Sequence, residues 1–160
     1  MRDIQSDDYP FLRNLFRDLR ARELSVTDWP QAQKDGFCDS QFELQDRHYR
    51  SHYEHAHYFV IERDGAHGRE AIGRIYVNAD LEFVGLMEIT ILSHLRGQRI
   101  GSTLMHWLTS LADANGQSMR LFVEPDNPAR NLYERNGFVA GEMQGPYLEM
   151  SRPAISRIAT

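Results

Sequence analysis

The stretch that most constrains this chain is Ile89-Thr90-Ile91-Leu92-Ser93-His94-Leu95-Arg96-Gly97-Gln98-Arg99-Ile100-Gly101-Ser102. A β-branched apolar run leads through a glycine-containing turn to Ile100, Leu104, Trp107, Leu108, Leu111 and Ala112, which keep helical steps until Gly116 ends them. A buried strand must therefore pass through a tight turn directly into a helix, which calls for a sheet with helices laid on it. Such a turn aims unpaired backbone N–H groups, and about half a positive charge, at whatever lies before the helix, so a phosphate or pyrophosphate is the natural ligand. The alternative is that Gly97 and Gly101 only permit a tight turn and close packing. Two other phosphate loops do not fit. Ser102-Thr103 follows Gly101 without the lysine of G-x-x-x-x-G-K-[ST], and G-x-G-x-x-G is absent.

On the N-terminal side, Phe11, Leu12, Leu15, Phe16 and Leu19 place one apolar face on a helix over Tyr9 to Leu24, with Asp7 or Asp8 as its cap. Trp29 to Tyr53 resumes helical spacing, with Gly36 or Asp39 as a point of division into two helices. His57–Ile61 and Ala71–Val77 read as strands joined across the turn signal Asp64-Gly65, and Phe83 to Leu92 as a third strand. Ser118 to Val123 is a short strand. Asn127-Pro128 opens a short helix that Gly137 closes, and Phe138–Met143 with Tyr147–Met150 form a final hairpin across Gln144-Gly145-Pro146. The expectation is an α/β (α+β) fold with a mixed sheet in a single domain, residues 152–160 being a mobile tail.

The 160 residues suit one domain, and 18 Lys+Arg against 23 Asp+Glu give a net charge of −5 with no basic run that would track a nucleic acid. No stretch approaches the ~20 apolar residues of a membrane span, and Met1-Arg2-Asp3-Ile4-Gln5 has no signal-peptide character, so the expected location is cytoplasmic. A single cysteine, Cys38, allows neither an internal disulfide nor a cysteine-based metal site. His48, His52, His55 and His57 invite a metal reading, but His55 and His57 fall beyond the helix end and no cysteine joins them; no metal is expected.

Arg96-Gly97-Gln98-Arg99-Ile100-Gly101 resembles the [QR]-x-x-G-x-[GA] pyrophosphate loop of the GNAT superfamily of acyl-CoA N-acyltransferases, matching all but one position. A second signature of that family, Asn, then a short helix with Ala and Tyr, then Gly-Phe, stands as Asn127-Pro128-Ala129-Arg130-Asn131-Leu132-Tyr133-Glu134-Arg135-Asn136-Gly137-Phe138. The resemblance covers about 71–150, while about 1–58 would form a helical region on the acceptor side. It departs at Arg99, where the family has its middle glycine. A positive φ there would strain arginine, but the helix phase from Ile100 predicts a harmless helical backbone, with the guanidinium near the CoA phosphates.

The resemblance implies a mostly antiparallel sheet of about six to seven strands, splayed at the acyl-CoA site, where the backbone of Ile89 and Ile91 pairs with the pantetheine arm while their side chains stay in the core. It implies acetyl-CoA as co-substrate, bound by Arg96, Gly97, Gln98, Arg99, Ile100, Gly101, Ser102 and Asn127, and an amine acceptor. It also implies Tyr133 as the acid for the departing thiolate. An amine of pKa ~10.4 is neutral about once in 2,500 molecules at pH 7, a deficit of roughly 4.6 kcal/mol, so a base is needed. Glu88, which shares a strand face with Thr90 and Leu92, is the candidate, ahead of His94 and Glu124. A CoA-binding regulatory domain without catalysis and a histidine-based metal module are the rival readings. A homodimer is compatible with the sequence.

Overall fold

Helix α1 (Tyr9–Leu24) and helix α2 (Gln31–His52) follow a two-residue strand β1 (Arg2–Asp3), and then come β2 (Ala56–Gly65), β3 (Gly68–Ala79) and β4 (Phe83–Ile91). After α3 (Ile100–Ala114) the chain continues through β5 (Ser118–Val123), α4 (Ala129–Arg135), β6 (Val139–Gln144) and β7 (Tyr147–Arg152). The computed structural model describes residues 1–155. The expected tail is thus mostly outside the described residues, and its first member, Arg152, belongs to β7. The strands form a seven-stranded, mostly antiparallel sheet in the order β1-β2-β3-β4-β5-β7-β6, as the α/β reading required. Contacts group the chain into two compact units, Met1–Tyr76 with Ile89–Arg96, and Val77–Glu88 with the chain from Gly97 onward.

In the first unit, α1 buries Leu12, Leu15, Phe16 and Leu24, and Leu12, Phe16 and Leu24 share a core with Cys38 and Phe42 of α2. The bidentate pair of Arg17 with Asp39, at 3.0 and 2.7 Å, joins the two helices. Helix α2 is not divided, contrary to expectation. Asp39 is engaged by Arg17, and Gly36 faces open space, so it costs the helix only its own poor propensity, about 1 kcal/mol. Asp8 does not cap α1 either. Its carboxylate accepts the Gln5 N–H at 2.8 Å and both Arg2 nitrogens at 2.7 Å, closing the 3-10 turn Ser6–Asp8 instead. Strand β1, which the sequence reading missed, pairs antiparallel with β2, Arg2 opposite Val60. Gly73 of β3 lies so close to β4 that a Cβ there would collide with the Thr90 carbonyl and stand 2.8 Å from Ile91 Cδ1.

In the second unit, β4 pairs parallel with β5 from Phe83↔Ser118 to Leu86↔Leu121, and β5 pairs antiparallel with β7. Helix α3 buries Met105, Leu108, Thr109 and Ala112, whereas Trp107 and Leu111, expected on its inner face, are exposed. Helix α3 ends as Gly116 promised. With φ +67° there, the Gly116 N–H reaches the Asp113 carbonyl at 3.2 Å and the Gln117 N–H the Ala112 carbonyl at 2.8 Å, a Schellman closure. Arg152 joins elements of this unit by a bidentate pair with Asp113 of α3, at 2.6 and 2.8 Å, and a bond to the Asn136 carbonyl at 3.0 Å.

Candidate functional site

The loop before α3 has two residues with positive φ, Gly97 at +80° and Arg99 at +63°. Arg99 is left-handed, with ψ 16°, and it is the only non-glycine residue with positive φ among the described residues. The expectation of a helical backbone at Arg99 is therefore wrong. Helical phase begins one residue later, at Ile100, and the chain must turn at Arg99 to reach it. An L-residue in that region carries a steric cost of roughly 1–2 kcal/mol, which is the physical reason a glycine suits the position.

This turn shapes the site. Residues in left-handed conformation next to a helix start tilt successive N–H groups toward one point, a concavity for an anion. The amides of Ile100, Gly101 and Ser102 have no intrahelical acceptor, and no side chain caps the helix. Arg96, Gln98 and Arg99 are exposed, and neither guanidinium has an ion-pair partner among the described residues. Gly101 also serves packing, since a Cβ there would stand 3.3 Å from Leu132 of α4. Gly97 thus serves the turn through its conformation and Gly101 the close approach of α4.

Helix α4 presents Tyr133. Asn127 accepts the Ala129 N–H through its side chain at 2.9 Å, so this expected ligand-binding residue spends its carbonyl oxygen on starting the helix. At the other end Gly137, φ +92°, lets the Phe138 N–H reach the Tyr133 carbonyl at 3.1 Å and the Gly137 N–H reach the Glu134 carbonyl at 3.1 Å. The Tyr133 and Phe138 rings then meet at 6.0 Å, the apolar contact that accompanies a Schellman closure. The Tyr…Gly-Phe spacing is in this sense a helix-stopping device that fixes Tyr133.

Tyr133 is 7% exposed, and its hydroxyl has no hydrogen-bond partner among the described residues. Burial first, and the negative charge of Glu88 second, push its pKa up to about 12. Glu88 and Tyr133 are therefore electrostatic neighbours in the same unit. Glu88 is half-buried, on a strand face whose other members Val84, Leu86 and Thr90 are buried. His94 and Glu124 are exposed. Ile91 is a core residue at 9% exposure, as expected, but Ile89 is only half-buried.

The histidines do not gather. His48 and His52 stack at 4.3 Å on α2, while His57 stacks on Phe59 of β2. No group of three or more His, Cys, Asp or Glu able to hold a metal occurs among the described residues. A hollow of about 530 Å3, lined by Tyr9, Arg13, Phe42, Glu43, Asp46 and Arg50 among others, opens along α1 and α2 and contains none of the residues singled out by sequence. No helix among the described residues is long and apolar enough to cross a membrane.

Residues 16–138 match the model of the acetyltransferase (GNAT) family. Among solved structures, an N-acetyltransferase, PaiA, from Thermoplasma acidophilum in complex with coenzyme A is similar at TM-score 0.69 and 16% identity, over 95% of this chain and 96% of that one. The histone acetyltransferase HPA2 and related acetyltransferase from Corynebacterium glutamicum is similar at TM-score 0.67 and 19% identity, over 99% and 97%. Spermidine N-acetyltransferase from Vibrio cholerae, in complex with CoA and spermine, is similar at TM-score 0.59 and 21% identity, over 94% and 90%. No curated protein sequence matches the chain.

Proposed function

Because the chain belongs to the GNAT acetyltransferase family, we propose that it transfers the acetyl group of acetyl-CoA to a primary amine by direct attack, with no covalent enzyme intermediate. The observation that carries this reading is the left-handed Arg99 beside Gly97: the chain accepts a strained arginine in order to keep an anion-cradling turn. In this reading the amides from Gly97 to Ser102 hold the pyrophosphate, with Arg96 and Arg99 adding charge, and the backbone of Ile89 to Ile91 pairs with the pantetheine arm. The match over 16–138 runs through both units, which supports one acetyltransferase domain over 1–160.

Glu88 takes the proton of the acceptor ammonium, directly or through water, so that the free amine attacks the thioester carbonyl. When the tetrahedral intermediate collapses, the C–S bond breaks and the sulfur leaves with the electron pair. Tyr133 donates its O–H to that sulfur. A phenol held at about 12 is a far weaker acid than a thiol at ~8.5, so complete transfer is uphill by about 5 kcal/mol even to the fully formed thiolate. Tyr133 therefore acts in the transition state, through an O–H hydrogen bond to the sulfur that strengthens as charge accumulates there. Once Glu88 is protonated, one of the two influences that make Tyr133 a weak acid is gone. Base and acid thus act in a favourable order.

The acceptor is an amine, with polyamines the first class to try, given the spermidine acetyltransferase likeness and the net charge of −5. The test is a screen of polyamines, aminoglycosides, free amino acids and peptide amines for acetyl-CoA-dependent thiol release, alongside melting with acetyl-CoA. A ligand that binds only the native state raises the melting temperature. No shift at millimolar acetyl-CoA overturns the reading. A shift with no turnover on any amine leaves a CoA-binding regulatory domain.

A further inference from the structure

The strand β4 hands the chain to the phosphate loop through a single 3-10 turn, Ser93–Leu95. Its N-cap position is Leu92, which has no polar atom in its side chain and supplies no cap. The cap comes from elsewhere. Asp18, on α1 and 75 residues away in sequence, accepts the Ser93 backbone N–H at 2.7 Å through one carboxylate oxygen and the Ser93 hydroxyl at 2.6 Å through the other. Asp18 has no other partner among the described residues, so it does nothing for the pairing of α1 with α2, which Arg17 and Asp39 secure one position away.

Resting on the acetyl-CoA reading above, we infer that Asp18 is a positioning residue that holds the stem of the phosphate loop in its binding conformation. The stem is otherwise fixed on one side only. The Leu92 N–H reaches the Ile72 carbonyl at 2.9 Å, and Leu95 is buried at 4% exposure. Ser93 and Arg96 are exposed, and the Arg96 N–H closes the turn on the Ser93 carbonyl at 3.2 Å. Fixing Ser93 thus fixes the residue from which the Arg96 amide takes its direction. A ligand that must order this stem as it binds loses affinity for the ordering, and a stem ordered beforehand avoids that loss. An acidic residue placed beside an anion-binding segment is unfavourable unless its charge is already occupied, and the two short bonds from Ser93 occupy it.

The inference separates binding from chemistry. The carboxylate of Asp18 is taken up by Ser93, so its loss should raise the KM and Kd for acetyl-CoA and leave kcat at saturation alone. In the full chain, with Kd measured by calorimetry and unliganded melting recorded for each variant, Asp18→Ala should weaken acetyl-CoA binding about tenfold, ~1.4 kcal/mol, with kcat within about twofold. Asp18→Asn, which keeps an acceptor for the Ser93 amide, should recover most of that loss. Ser93→Ala, which removes only the hydroxyl bond, should cost about threefold, and the double variant should bind no worse than Asp18→Ala alone because the partners act as one unit. Unchanged affinity in Asp18→Ala, equal losses in kcat and affinity, or tighter binding in Asp18→Asn overturns the inference while the acetyl-CoA reading stands. Should Asp18→Ala not fold, unchanged affinity in both Asp18→Asn and Ser93→Ala overturns it equally. If the wild-type chain does not bind acetyl-CoA, the site reading falls and the inference falls with it.

Discussion

In the unit that contains Gly97, Arg99 and Tyr133, the residues of interest are placed by backbone conformation within a few positions of themselves; in the unit built on α1 and α2, Arg17 and Asp18 are settled by partners far along the chain. Gly116 and Gly137 each end a helix by a local closure, and Asn127 starts one two residues before Ala129. Arg17 instead finds Asp39 across two helices, and Asp18 finds Ser93 at a separation of 75. The lesson is about range. A site held by short-range conformation survives large changes of sequence around it, whereas one held by distant charge pairs depends on both partners and on pH.

The largest expected effect tests the locally built region. Tyr133→Phe keeps the ring against Phe138 and deletes only the hydroxyl, so turnover should fall by roughly 10²–10⁴ while acetyl-CoA affinity and melting temperature hardly change. Turnover within about threefold of wild type would make Tyr133 a packing residue of α4 and break the contrast at its functional end. Glu88→Gln sharpens the same point. It keeps the shape and removes the base, so the loss should be greatest at low pH, and an unchanged pH–rate profile would assign the proton to another group.

Next in size is a test of how the other region holds its backbone. Gly73→Ala would drive a methyl group into the Thr90 carbonyl and Ile91, at a cost of about 3 kcal/mol by urea denaturation, since backbone cannot yield as a flexible side chain can. A loss under about 0.5 kcal/mol would show that β3 and β4 have slack.

The charge pairs come third, and they cut across both regions. Arg2 hydrogen-bonded to Asp8, Arg17 to Asp39 and Arg152 to Asp113 each hold the carboxyl below its ordinary range. A native pKa below the unfolded one means that the unfolded chain binds protons first as pH falls. The stabilisation is therefore complete above the ordinary value of 3.8 and disappears as pH drops through the depressed native values. Melting temperature should accordingly decline below about pH 4. Asp113→Asn should cost about 1.5 kcal/mol near pH 7 and flatten part of that decline. An acid limb identical to wild type would remove Asp113 from it.

Arg99→Gly gives the smallest effect and the most pointed one, because two influences oppose each other. Relief of the left-handed arginine should stabilise the chain by about 0.5–1 kcal/mol, while loss of the guanidinium weakens acetyl-CoA binding by up to about tenfold. A variant that gains stability and loses no affinity would show that the arginine contributes nothing to the ligand. One that gains no stability would show that its backbone is not strained.

The elements that carry their own start and stop signals were legible in the sequence by itself. Tyr9–Leu24, Ser118–Val123 and the helix from Ile100 were each bounded as the periodicity and glycines indicated. So was the family, because the loop and the α4 signature rest on conformations only a few residue types adopt. The tertiary structure decided what depends on distant partners. Asp39 of the undivided α2 is engaged by Arg17 on another helix, Asp8 was drawn from capping α1 by Arg2, and β1 exists only against β2. Arg99 escaped the sequence for a local reason, since helical phase names the first helical residue but not the turn required to reach it from Gly97. The physical reason is that a periodic apolar pattern or a glycine acts through its own backbone. A carboxylate has no preferred partner until the fold brings one within about 3 Å.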